Sequence, residues 1–507
     1  MIDAITLAQL VACGEAQAPA IRAPERDTMS FAGLQALGSG TLGVLNAAGI
    51  GRGDRVAIVL PNSPEMATAF VSVAAGATAA PLNPAYRTEE FEFYLSDLGA
   101  KAVIVLAGDD SPVIEAAGKL DIPLIPLTPE AQAPAGAFTL SPPAGQAASA
   151  GGFAGAEDIA LILHTSGTTS RPKIVPLSHA NVCASARNIS AWLELKPQDS
   201  CLNVMPLFHI HGLIAAVLSS LYAGASVACS PGFNALKFFA WLDQIKPSWY
   251  TAVPTMHQAI LARAGRNEEI VARNPLRLIR SSSSSLPAPV MAELEQVFSA
   301  PVIESYGMTE AAHQMASNPL PPAERRPGCV GIAAGPEVAI MDLAGELLGA
   351  GATGEIVIRG DNVTAGYENN DKANAEGFTN SWFRTGDQGV MDDAGYVTLT
   401  GRLKEIINRG GEKISPREVD DVLMTHPAVA QAVVFAMPHN KLGEDVAAAI
   451  VLREGKEASD RDIRDFAGER LAAFKVPRKI VLLDEIPKGA TGKLQRIGLA
   501  EKLGLVE

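Results

Sequence analysis

The run Leu161 to Pro176, LILHTSGTTSRPKIVP, carries an apolar strand into a loop of small and hydroxylated residues ending in a lysine. Gly167 lets backbone approach an anion, Thr165, Ser166, Thr168, Thr169 and Ser170 offer hydroxyl and amide donors, and Lys173 adds a point charge. That is the chemistry of a phosphate cradle. It is not the GxxxxGK[ST] loop of the P-loop NTPases, because no GK in the chain is followed by Ser or Thr. GSGTLG, from Gly38, matches the dinucleotide fingerprint GxGxxG, but its flanks LQAL and VLNAA continue a helical period and no strand feeds it, so it reads as helix. Further along, TGD at 385–387 ends a strand on Asp387, a carboxylate able to grip two vicinal hydroxyls. GRLKEIINRGGEKISP (401–416) packs Arg402, Lys404, Glu405, Arg409, Glu412 and Lys413 around two glycines, and PKGATGKLQR (487–496) presents Lys493 on another Gly/Thr loop.

These segments need a large scaffold. The chain has 507 residues and 48% hydrophobic content, which exceeds the roughly 250–300 residues at which a single core stops growing and predicts two or three cores. The net charge of −14, with no basic cluster interleaved with aromatics, argues against nucleic acid as a partner. Cys13, Cys183, Cys201, Cys229 and Cys329 are odd in number and never spaced CxxC, which disfavours disulfides and a thiolate zinc site. The first residues lack the basic start and apolar core of a secretory signal, and KLGLVE is not a Ser-Lys-Leu ending; a cytoplasmic location is expected. Gly212 to Ser230 is uncharged and long enough to span a bilayer, yet its Gly, Ala and Ser content and the following Pro231 favour a buried helix plus the short strand SVACS.

RVAIVL (55–60), AVIVL (102–106) and IALIL (159–163) alternate with Ala-rich helical patterns such as Glu65 to Ala77, the mark of a mostly parallel sheet between helices. Pro126 to Ala156, rich in Pro, Ala and Gly, reads as a surface linker between two such sheets. A second alternation puts strands at Ser200 to Met205, Ser226 to Ser230, Trp249 to Val253 and Val302 to Ser305. Residues 330–400 switch to short strands and turns, a small β-rich part. After Gly401, a capping box at Ser415 with Pro416 opens a helix to about Thr425, Ser459 opens one over Asp460 to Ala473, and VAQAVVFAM, DVAAAIVL and KIVLLDEI read as strands of an α+β unit.

TSGTTSRPK, ESYGMTE (304–310), WFRTGD, GRLKEIINRGGEKISP and PKGATGKLQR occur in the order found in the acyl-adenylate-forming superfamily, which this chain resembles over residues 165–496. The resemblance implies an α/β fold: a large N-terminal domain, 1–401, of two α/β subdomains plus a small β subdomain, and a small mobile α+β C-terminal domain, 402–507, hinged near Lys404. It implies that a carboxylic acid and ATP give an acyl-adenylate and pyrophosphate, and that the thiol of coenzyme A then gives acyl-CoA and AMP. By the same resemblance the loop 165–173 holds the β and γ phosphates, Thr309 contacts the α phosphate, and Glu310 binds Mg2+. Glu304, Ser305 and Tyr306 line the nucleotide, Asp387 and Arg402 hold the ribose, and Lys493 bridges carboxylate and phosphate in the first half-reaction. The stretch from Gly410 to Lys413 turns to the thiol channel in the second.

The acid pocket departs from the family's usual text. Residues 281–285 read SSSSS where relatives carry a Gly/Ala-rich segment, and Ser170 and Ile174 replace glycines. His209 matches a gate position, His211 is its neighbour in PLFHIHG, and His313 follows Thr309 by four residues; HxH alone is weak evidence for a metal. Hydroxyls and imidazoles suit a second carboxylate on a very short acid, since a buried charge needs donors. PLFHIHGLIAAVLSSLYAGA, WYTAVPTMHQAIL, RSSSSSL and MTEAAHQMASNPLPP resemble the oxalate:CoA ligases of the superfamily, which implies oxalate held by Ser283, His209 and His313. The alternatives are a ligase for malonate, acetate or a fatty acid, or an adenylation enzyme loading a carrier protein.

Overall fold

Four β-sheets organise the chain in the computed structural model, which describes residues 4–165, 172–487 and 496–506. The first sheet orders Phe138–Leu140, Leu124–Pro129, Ala102–Leu106, Arg55–Val59, Thr78–Pro81, Ile159–His164 and Ile174–Ser178. Its central strands are parallel and its two outermost pairs antiparallel. The second sheet has nine strands. Five neighbours in it, Ser226–Cys229, Ser200–Asn203, Trp249–Ala252, Leu278–Ser281 and Val302–Met308, run parallel, so they end along one edge. The first four of these are buried along their whole length, as strands covered on both faces are.

Helix Pro64–Ala74 shows why two sheets form one body. Every one of its residues is buried, because it packs on strands of the first sheet and also on Pro19–Arg22 and Ser226–Cys229 of the second. A helix covered on all sides needs apolar residues around its whole circumference. Ser63 caps its start by accepting from the Met66 amide, and Pro64 sits in the first turn, where its missing N–H costs nothing.

The GxGxxG string lies within helix Phe31–Ala47, as its period predicts. Residues 211–229 form a buried π-helical stretch, His211–Leu218, continued by Ser219–Tyr222 and the strand Ser226–Cys229. Among the described residues no helix is long and apolar enough to cross a membrane. The expected linker is corrected: Leu124–Pro129 is a strand beside Ala102–Leu106, Phe138–Leu140 turns back on it, and the chain re-enters the same sheet at Ile159–His164. Pro126 and Pro129 lie in this strand, which is second from the sheet's edge.

The β-rich part forms as expected, pairing Glu337–Met341, Thr353–Arg359, Trp382–Met391, Phe378–Thr379 and Val397–Arg402. The chain then passes through a turn at Leu403–Glu405 into a fourth sheet made of Ile407–Arg409, Glu412–Ile414, Val429–His439, Gly443–Leu452 and Lys479–Leu482. Ser415 caps helix Pro416–Met424 through the Glu418 amide while its hydroxyl donates to the Thr400 carbonyl. Ser459 and Asp462 make a reciprocal capping box, but that helix stops at Gly468, short of the expected Ala473, since glycine is a poor helix former.

Candidate active site

The parallel strands of the second sheet deliver the site residues at their carboxyl ends, the crevice where open α/β sheets take ligands. Register sets Thr251 beside Arg280, Ala252 beside Ser281, and Ser281 beside Glu304. Strand Val302–Met308 turns through Thr309–Ala311 and returns antiparallel as His313–Ser317, which pairs Met308 with His313 and Gly307 with Gln314. Thr309, Glu310 and His313 are thereby fixed at the tip of one hairpin.

Two faces meet there. On the first, Glu310 is buried and accepts a 2.8 Å hydrogen bond from the Tyr367 hydroxyl, while the Lys173 ammonium lies 4.2 Å from the Tyr367 ring centroid. Burial raises the Glu310 carboxyl above its ordinary range, with the Tyr367 hydrogen bond acting against the rise. Lys173 and Thr165 are tied to each other across the 165–173 segment: the Thr165 amide donates to the Lys173 carbonyl at 2.9 Å, and the Lys173 amide to Thr165 Oγ1 at 3.3 Å. Ser166, Gly167, Thr168 and Thr169 lie outside the described residues, as does Lys493. Three residues beyond Lys493 in sequence, Arg496 pairs with Glu405 at 3.1 Å and with Asp420 at 2.8 Å.

Nearby, Asp387 is 3% exposed and accepts from the Tyr306 hydroxyl at 2.5 Å and from Arg402 Nε at 2.9 Å. Asp387 and Arg402 are register partners across an antiparallel pair, so the ion pair is built into the sheet. The Ser305 hydroxyl is engaged by Ser317 at 2.8 Å. Burial pushes the Glu304 carboxyl up to about 7; one oxygen accepts from the Leu286 amide at 3.0 Å and the other has no partner among the described residues. Lys404 lies in the turn before the fourth sheet, and Lys413 is exposed on Glu412–Ile414.

The second face is a histidine pair. His211 and His313 meet edge to face, centroids 5.0 Å apart and planes at 68°. His211 Nδ1 lies 3.0 Å from Ser283 Oγ, and its Nε2 lies 2.6 Å from Thr251 Oγ1. His209, two residues earlier, is half-buried with its ring 5.0 Å from that of Phe208. Beneath the pair is Arg280, fully buried: its Nη1 is 3.5 Å from His211 Nε2, and its Nη2 is 3.5 Å from His313 Nδ1 and 3.2 Å from Gln314 Oε1. Ser283, Ala312 and His313 have φ of +70°, +45° and +107°, three non-glycine residues in the left-handed region around one pocket. Such strain costs on the order of 1–3 kcal/mol each and persists where the surroundings over-determine it, typically at functional sites.

Sequence reasoning brought Ser283, His313, Thr309 and Glu310 to one place; it did not find Arg280, Thr251, Gln314 or Tyr367. The signal for Arg280 was present, as a charge inside the buried strand Leu278–Ser281 is rare without a purpose. Nothing in the text around Tyr367 marks it. Among the described residues no three His, Cys, Asp or Glu cluster as a metal cage. Glu310 is instead a solitary buried carboxylate, a donor suited to a hard cation that takes its other ligands from phosphates and water.

The comparisons with known proteins agree with this arrangement. Residues 11–368 match the AMP-binding enzyme family model and residues 418–493 that of the AMP-binding enzyme C-terminal domain. A probable CoA ligase of Humulus lupulus is 47% identical over 482 residues, covering 93% of this chain and 91% of its own. An oxalate–CoA ligase of Arabidopsis thaliana is 47% identical over 458 residues, 89% of each chain, and one of Saccharomyces cerevisiae 42% identical over 478 residues, 89% of this chain and 87% of its own. In structure, ATP-bound MatB from Rhodopseudomonas palustris superposes with a TM-score of 0.87 at 29% identity, covering 98% of this chain and 99% of that one. A buried carboxylate beside a lysine, an Asp–Arg pair built into a sheet, and the match of both family models along the chain lead to one conclusion: the chain belongs to the AMP-binding enzyme family.

Proposed function

We propose that the chain is an AMP-forming acid:CoA ligase whose acid is oxalate. The observation that carries the acid is the cluster beside Thr309 and Glu310: Ser283, His211 and His313 meet around a buried guanidinium. A dianion two carbons long needs donors at both ends, whereas an alkyl chain would strand these polar groups. The names of the Arabidopsis and yeast relatives support the same acid.

In the first half-reaction one oxalate carboxylate forms an O–P bond to the α-phosphorus of ATP as the bond to pyrophosphate breaks. The protein contributes position and charge: Lys173 and the loop from Thr165 on the outer phosphates, Thr309 on the α phosphate, Asp387 with Arg402 on the ribose, Tyr306 and Glu304 along the nucleotide, and Lys493 between carboxylate and phosphate. Glu310 would hold Mg2+, which neutralises charge on the phosphates. In the second, the CoA sulfur bonds to the acyl carbon, AMP leaves, and the thiol proton is released. The unit from 402 to 507 turns about Lys404 to bring Lys413 and its glycines to the cleft. Five unpaired cysteines support a reducing, cytoplasmic setting.

The experiment is His313→Ala. Its expected result is an oxalate KM raised by about 100-fold, in keeping with loss of a charge-assisted hydrogen bond, with the ATP KM within about threefold. An unchanged oxalate KM would contradict the assignment of the pocket.

A further inference from the structure

We propose that Arg280 is a positioning residue that sets the tautomers of His211 and His313 and so turns the acid pocket into a surface of hydrogen-bond donors. The inference rests on the reading of this pocket as the acid site. A guanidinium can only donate, so each ring nitrogen it faces must be unprotonated. At 3.5 Å the two contacts are long, and their main effect is electrostatic: a fixed cation disfavours a proton on His211 Nε2 and on His313 Nδ1. Thr251 Oγ1 lies 2.6 Å from the same His211 Nε2, and its hydroxyl can donate to that nitrogen once it is bare. The His211 proton is then on Nδ1, which donates to Ser283 Oγ at 3.0 Å. An Oγ that accepts from His211 has its own hydrogen left to offer to an anion. By the same logic His313 carries its proton on Nε2.

Two further observations fit this relay. Among the described residues no carboxylate pairs with Arg280, and its Nε has no partner there, although the side chain is fully buried. An unpaired buried cation is costly, and the arriving second carboxylate of the acid is the charge that offsets it. Gln314 then holds the fork in place, accepting from Arg280 at 3.2 Å while donating to the Ala334 carbonyl at 3.0 Å. Arg280 lies under the rings, so it acts through them and does not itself touch the acid.

The test compares Arg280→Gln and Arg280→Lys with the wild type in the full chain, by steady-state KM values and by nitrogen-15 NMR of the histidine rings at pH 8. The glutamine variant is expected to raise the oxalate KM by at least about 100-fold with the ATP KM within about threefold, and to lose the fixed tautomers of His211 and His313. Lysine keeps the charge but not the two-pronged fork, so it should preserve one tautomer and raise the oxalate KM about tenfold. Unchanged tautomers in either variant, or KM values for oxalate and ATP that rise together, would overturn the proposal. If the wild type does not use oxalate at all, the assignment of the acid fails, while the tautomers still decide the relay.

Discussion

Replacing Lys493 with alanine is expected to lower adenylate formation by at least about 10³-fold, measured as pyrophosphate release in a single turnover, while conversion of a supplied acyl-adenylate to acyl-CoA stays within about threefold of wild type. The asymmetry follows from charge. Attack on the α-phosphorus brings two anions together, and under the proposed function the lysine stands between them in that step alone. Thiolysis expels AMP from a mixed anhydride and brings no second anion to the phosphorus. Arg496 pairs with Glu405, in the turn before the fourth sheet, at 3.1 Å. Equal loss in both half-reactions would place Lys493 in neither role.

The second large effect is expected at Gly307. A Cβ there would fall onto the carbonyl of His313, 2.6 Å from its carbon and 3.1 Å from its ring nitrogen Nδ1. The backbone of the hairpin would have to open, carrying Thr309, Glu310 and His313 with it. Gly307→Ala should therefore cost about 3 kcal/mol of stability and reduce kcat/KM by about 100-fold, as displacements near 1 Å at a reacting centre do. Gly40→Ala is the matching control. Nothing lies within 4 Å of a Cβ at Gly40, which is inside helix Phe31–Ala47, so that variant should gain up to about 1 kcal/mol and keep full activity. Lost activity in Gly40→Ala would revive a nucleotide role for GSGTLG.

The sequence showed what local patterns can carry. Apolar runs such as AVIVL and IALIL announced buried parallel strands, and the cap residues Ser415 and Ser459 marked helix starts. Long-range partnership was less legible. Pro19–Arg22 joins the second sheet beside Ser226–Cys229, about two hundred residues away, and four residues hold no record of which sheet will take them. The linker reading failed for a related reason: Leu124–Pro129 is a strand paired on both sides, yet its two prolines give it the composition of a loop.

In the site, residues on shared motifs were legible, and the partner that crosses between strands was not. PLFHIHG offered two histidines, and spacing alone does not say which ring reaches Ser283. In the structure it is the ring of His211, at the start of the π-helical stretch, that lies 3.0 Å from Ser283 Oγ. Arg280 meets His313 only because two strands and a returning hairpin are adjacent.

The central claim is tested most directly by pyrophosphate release with ATP and magnesium across oxalate, malonate, acetate, octanoate and coumarate, with and without CoA. The account predicts turnover selective for oxalate and sustained only with CoA. Selective turnover of another acid, or turnover indifferent to CoA, would contradict it.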